Sequence, residues 1–113
     1  MLNNSPRLDR VFHALADPGR RTIVQRLTQG SASVSALAKP LKMSLSAVVQ
    51  HLYVLEDSGI VRSEKTGRVR TCYIESAALK AAESWIADRR ATWETRLDRL
   101  GDFLGESKGD NND

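Results

Sequence analysis

A chain of 113 residues suits one domain of ordinary size, whose modest core would gain from pairing with a second copy. The formal net charge is +3 but unevenly spread: residues 1–74 hold eleven Lys/Arg against five Asp/Glu, residues 75–113 six against nine. One cysteine, Cys72, excludes an intrachain disulfide and any multi-cysteine zinc site, and no apolar run resembles a leader or a membrane span, so a soluble, cytoplasmic protein is expected.

From Pro6, the apolar residues Leu8, Val11, Phe12 and Leu15 recur at helical spacing, predicting a short amphipathic first helix. Asp17-Pro18 restarts the chain, with Asp as N-cap and Pro at the first helical position. Ile23, Val24 and Leu27 face inward on this second helix, and Gly30 ends it. Ser31 to Ser35 reads as a small polar linker, in which Ser33 caps a third helix carrying Val34, Leu37, Ala38 and Leu41. Pro40 should break that helix near Lys39, because the residue before a proline is pushed out of the α region. A turn through Lys42-Met43 then leads into Ser44, the N-cap of a fourth helix. On that helix Leu45, Val48, Leu52 and Leu55 form one apolar face packed on the domain, and Gly59 suits the left-handed cap. Helix, tight turn and capped second helix is the helix-turn-helix arrangement, whose second helix enters the major groove of DNA.

Ile60–Thr66 and Val69–Ile74 read as the two strands of a hairpin turning at Gly67-Arg68 and crowded by Arg62, Lys65, Arg68 and Arg70. Ser76 then caps a long helix to about Leu104. Its residues Ile86, Trp93, Leu97, Leu100 and Leu104 advance as a heptad seam that Arg90 interrupts. A continuous helix over 77–104 spans on the order of 40 Å, so much of its seam needs another surface. A second copy supplies one, with Leu8, Val11, Phe12 and Leu15 of the first helix completing the interface. The expected fold is therefore mainly α with a small β-hairpin: a winged helix-turn-helix of five helices and a two-stranded wing, homodimeric through its first and last helices. Residues 1–105 form this domain, and the polar run ESKGDNND at 106–113 is expected to be disordered.

The fourth helix leaves Ser46, Ala47, Val49, Gln50 and Tyr53 outward, with His51 at the margin. Gln50 can pair bidentately with adenine, Ala47 and Val49 suit thymine methyls, and Ser44 and Ser46 suit phosphate or base. His51 serves equally well as a phosphate contact or as a histidine closing the domain surface. On the hairpin, Arg68 at the tip suits the minor groove or its phosphates, with Lys65 and Arg70 flanking it. A solvated edge hairpin guarded by charge is the plainer account of those cations. The Gly-Arg tip directly after a capped helix favours DNA. Elsewhere the structural reading leads: Cys72 as a small core residue, Trp85 and Trp93 as packing, His13 without a ligand partner. Asp17, Asp88 and Glu94 show no paired arrangement for acid–base work. With no Gly-rich phosphate loop, Ser/His/Asp set or HExxH, neither an enzyme nor a cofactor is expected.

These residues carry a family likeness. FHALADPGRRTIVQRL, followed by SVSALAKPLKMSLSAVVQHLYVLEDSGIVRSEKTGRVRTCYI, resembles the ArsR-type winged helix-turn-helix repressors across most of the chain. The segment HLYVLEDSGIV with a Gly-Arg wing and a tyrosine on the return strand is its most specific part. The ending WIADRRATWETRLDRLGDFL is similar to the metal-independent, SdpR-like branch, with a tryptophan-bearing last helix. The resemblance implies a homodimeric transcriptional regulator, usually a repressor that leaves its operator when a signal arrives. By position, Ser44, Ser46, Ala47, Val49, Gln50 and His51 match the DNA-facing part of the family's recognition helix, and Lys65, Arg68 and Arg70 its wing. Val49 departs from the serine common there, replacing a hydrogen bond with an apolar contact. Metal-sensing members carry a cysteine pair around the recognition helix, or His and Asp ligands on the last helix. This recognition helix has no cysteine and this last helix no histidine, which excludes those sites.

The expectation is a dimeric repressor on a pseudo-palindromic duplex DNA operator. Two rivals remain open at this point. One is a sensor whose small-molecule inducer binds at the dimer seam beside Trp85 and Trp93. The other is a protein-interaction module that uses a winged fold without DNA.

Overall fold

The computed structural model describes residues 5–109. In chain order these form α1 (Pro6–Leu15), α2 (Pro18–Leu27), β1 (Ala32–Ser33), α3 (Val34–Ala38), α4 (Leu45–Asp57), β2 (Val61–Thr66), β3 (Val69–Ile74) and α5 (Ser76–Gly109).

Local chemistry accounts for the helix ends. The hydroxyls of Ser5, Ser33 and Ser44 and the carboxylate of Asp17 each accept from the backbone N–H three residues on, satisfying a donor the first turn would orphan. α3 ends at Ala38, near the expected break, but Lys39 keeps α-region dihedrals (φ −67°, ψ −53°) although it precedes Pro40; the chain then turns through Lys42 at φ 56° while the Met43 N–H donates to the Ala38 carbonyl at 3.0 Å. α4 closes with a Schellman cap. Gly59, at φ 83°, donates its N–H to the Glu56 carbonyl (3.0 Å), and the Ile60 N–H reaches Leu55 (3.1 Å).

The two-stranded wing forms as expected, and its sheet gains a third strand. The polar linker after α2 contributes β1, so the sheet has three antiparallel strands in the order β1-β3-β2. Ala32 pairs with Cys72 and Ser33 with Thr71, giving the inner edge of β3 the partners its backbone groups require. β2 and β3 pair from Val61↔Ile74 to Thr66↔Val69, and Gly67 at φ 63° occupies the first central position of the two-residue turn, where only glycine is unstrained.

The molecule divides into two compact units, one ending at Ala82 and one beginning at Glu83. In the first unit Ile23, Leu37, Val48, Leu52, Leu55 and Ile60 are fully buried, with Ala78 and Ala82 entering from the start of α5. Three sequence expectations need correction here. Val11, expected at the dimer interface, has no exposed surface, because its helical register serves the protomer's own core; Leu8, Phe12 and Leu15 are only partly covered. Leu45, expected to pack on the domain, is 54% exposed, although Val48 in the same turn is fully buried. α5 begins at Ser76 itself and continues to Gly109 rather than Leu104; residues 110–113 of the polar tail lie outside the described residues.

A connection that periodicity cannot reveal joins α1 to α2. Arg20 donates from Nε to the Ala14 carbonyl (2.7 Å) and from Nη2 to His13 (3.2 Å), and Arg21 donates from Nη1 to Leu15 (2.7 Å). Two guanidinium groups thus satisfy the carbonyls left open at the end of α1. In the second unit, Ile86, Trp93, Leu97, Leu100 and Leu104 fall on one stripe of α5 and are all about half exposed. Arg89 lies over the Trp85 ring, 4.7 Å from its centroid.

Candidate nucleic-acid interface

α3 and α4, joined by the turn through Lys42, are the two helices of the helix-turn-helix, and α4 is the one with an open outer face. Val48, Leu52 and Leu55 anchor its inner side at zero exposure. That anchorage leaves Ser44, Ser46, Val49, Gln50 and Tyr53 exposed, while Ala47 is half-buried and contributes less outer surface than expected. The Ser44 hydroxyl is held as the N-cap by the Ala47 N–H at 3.1 Å, with the Ser46 hydroxyl 3.3 Å away.

His51 lies against the start of α2. Its Nδ1 lies 3.8 Å from Asp17 Oδ2, and the same carboxylate oxygen accepts the Arg20 N–H at 3.0 Å. A Cβ on Gly19 would approach His51 Nε2 to 2.8 Å, so the imidazole fits over the first turn of α2 because that position has no side chain. The Arg20 backbone N–H holds the Asp17 carboxyl below the ordinary carboxylate range, with the Arg20 and His51 charges acting in the same sense.

The four hairpin cations separate into two kinds. Arg62 is paired with Glu75 (2.8 Å) and Glu64 and stacks over Tyr73, 4.8 Å from the ring centroid. Arg70 pairs with Glu56 near the end of α4 and donates to the Ser63 hydroxyl at 2.8 Å; that hydroxyl donates in turn to Glu56. This triad braces the wing against α4. Lys65 and Arg68 have no ion-pair partner among the described residues and stand exposed on either side of the Gly67 turn. Sequence position gives no warning of this division, because Arg70 and Glu56 are fourteen residues apart.

Between the start of α3, the first turns of α4 and the turn end of the wing lies a cleft of about 270 Å³, lined by Ser33, Val34, Ser35, Leu45, Val49, Arg68, Val69 and Arg70. Cys72 is fully buried on the middle strand, where burial pushes its thiol above the ordinary value. Among the described residues no group of three or more His, Cys, Asp or Glu is placed to hold a metal ion, and no helix is long and apolar enough to cross a membrane.

Comparison with known proteins agrees with this geometry. Residues 17–63, from the cap of α2 into β2, match the family described as bacterial regulatory protein, arsR family. The chain is 35% identical over 102 residues to the HTH-type transcriptional regulator Rv2034 of Mycobacterium tuberculosis, covering 90% of this chain and 92% of that protein. It is 23% identical over 79 residues to the transcriptional repressor SdpR of Bacillus subtilis, covering 70% and 88%. Among solved structures, the crystal structure of the ArsR family transcriptional regulator RHA00566 superposes with a TM-score of 0.75 at 47% identity, covering 83% of this chain and 97% of that one.

Proposed function

The chain belongs to the ArsR family of transcriptional regulators, and from that premise we propose that it is a homodimeric repressor that occupies a pseudo-palindromic operator in duplex DNA. One observation carries the DNA reading. The exposed face of α4 with Ser46, Val49 and Gln50 belongs to the same compact unit as a wing whose tip cations, Lys65 and Arg68, are unpaired among the described residues. In this reading Gln50 supplies base discrimination through its amide, which offers a donor and an acceptor to an adenine edge. Ser44 and Ser46 contact phosphate or base, Val49 makes an apolar contact, and Lys65 and Arg68 neutralise backbone phosphates. Arg70 and His51 act chiefly by holding the wing and the recognition helix in place.

The apolar stripe of α5 supports the dimer. Ile86, Trp93, Leu97, Leu100 and Leu104 stay about half exposed on the described chain, and a second α5 is the surface such a seam fits. Two recognition helices related by a two-fold axis then meet half-sites about one helical turn, or a multiple of it, apart. Repression follows from occupancy, with SdpR, named a transcriptional repressor, as the precedent.

A small-molecule inducer is the second reading, supported by the open concavity that Trp85, Ile86, Arg89 and Trp93 line on α5. Quenching or shift of tryptophan emission together with DNA release identifies such a molecule; emission changes without release argue against it.

Selection of bound duplexes from a random pool, at stated salt, tests the proposal. A palindromic consensus supports it, and recovery of no consensus refutes sequence-specific binding. On the selected site Arg68→Ala weakens all sequences alike and flattens the slope of log affinity against log salt by about one unit per wing contact. Gln50→Ala relaxes preference at one base pair of each half-site, by about 1–3 kcal/mol.

A further inference from the structure

Leu45 has no packing role that explains it. It sits in the first turn of α4 at 54% exposure, one helical turn from Val49 at 43%, and both line the cleft beside the turn end of the wing. Val69, at 53% exposure, completes an apolar wall from the hairpin side, and Arg68 stands at its rim. Leucine and valine in the leading turns of a helix, both open to solvent, are an unfavourable arrangement unless something apolar meets them.

What meets them follows from where they stand. The N-terminal turns of the second helix of a helix-turn-helix are those that reach base edges in the major groove. The only apolar group that the major groove presents is the C5-methyl of thymine. We propose that Leu45 and Val49, flanked by Val69, form a methyl-reading surface that selects thymine at adjacent positions of each half-site. The inference deepens the DNA-binding reading and rests on it. It assigns Leu45, which the pattern of apolar residues had put in the core, to specificity. It also divides the labour on α4: Gln50 reads a hydrogen-bonding edge, and the Leu45–Val49 stripe reads methyl groups. Arg68 at the rim neutralises the phosphate beside the methyl being read.

The chemistry provides a clean test, because deoxyuridine is thymidine without the methyl group and keeps the same hydrogen-bonding edge. An operator selected by the protein is resynthesised with deoxyuridine at each thymine in turn, and affinity is measured at one salt concentration. Loss of a buried methyl weakens binding about fourfold per position, so matched substitution in both half-sites weakens it on the order of fifteenfold. The Leu45→Ala/Val49→Ala double variant, altered only at exposed positions, binds the thymine operator more weakly and no longer distinguishes it from the uracil one. Three results overturn the inference. One is wild-type affinity that ignores the substitution. Another is a double variant as sensitive to it as wild type, which places the methyl contact elsewhere. The third is failure to select any DNA, which removes the DNA-binding reading and this inference with it. Specific binding that is blind to uracil removes the methyl reading alone.

Discussion

Up to Ala82 the chain uses its large apolar residues to fill space: Ile23, Leu37, Leu52, Leu55 and Ile60 have no exposed surface. From Glu83 onward the same residue types stay open, with Ile86 49%, Leu97 48% and Leu100 53% exposed on a stretch where none of residues 83–105 is buried. Both units contain regular, well-patterned helices, so helical periodicity alone does not say which faces are satisfied within the protomer. The first unit is a finished core. The second leaves its apolar stripe open.

The largest expected effect separates the two units by what they lose. Leu52→Ala, at a fully buried position, should destabilise the first unit by about 2–5 kcal/mol, read as a lower urea midpoint at unchanged slope. Leu97→Ser with Leu100→Ser should leave the far-ultraviolet spectrum of the protomer intact while abolishing self-association in sedimentation at micromolar concentration. If that pair instead unfolded the protein, the stripe would belong to the protomer's own fold. Glu56→Ala should be milder, about 1 kcal/mol in stability, because it frees Arg70 and the Ser63 hydroxyl at a partly exposed site. It should also loosen the wing, which amide exchange along β2 and β3 would register as faster than wild type.

The smallest effect concerns pH. The Asp17 carboxyl is held below its ordinary value in the folded protein, so its contribution is present above the unfolded-state pKa and disappears as pH falls through the lowered folded value. Stability against pH should therefore show an acid-limb decline that Asp17→Asn reduces, with neutral-pH affinity for DNA little changed.

Much of the fold was legible because its signals are local. The caps at Asp17, Ser33 and Ser44, the stop before Pro40 and the left-handed Gly59 each depend on residues within one turn, and all occur where expected. Features that depend on distant partners were not legible. β1 is two residues long and exists only because Cys72 and Thr71 lie opposite it. Val11 satisfied the periodicity of a core residue and of an interface residue equally well, and only packing decides between them. Leu45 matched the apolar face of α4, yet it stands open while Val48 in the same turn is fully buried, so periodicity marks a face without marking its edge. The hairpin sequence shows four cations, of which two are neutralised by Glu56, Glu64 and Glu75. Affinity is therefore expected to rest on fewer charges than the composition of the hairpin suggests.

Cys72 has a practical consequence. The lone thiol is enclosed on the middle strand between Ala32 and Ser63, and its raised pKa leaves little thiolate at neutral pH. The surface is therefore chemically blank toward thiol reagents. A cysteine introduced at Thr66 or Tyr53 would be the single fast-reacting site, so a dye, spin label or crosslinker can be placed on the wing or the recognition helix without first removing the native residue. Distances between two such labels in a labelled pair would report half-site geometry directly, with and without DNA.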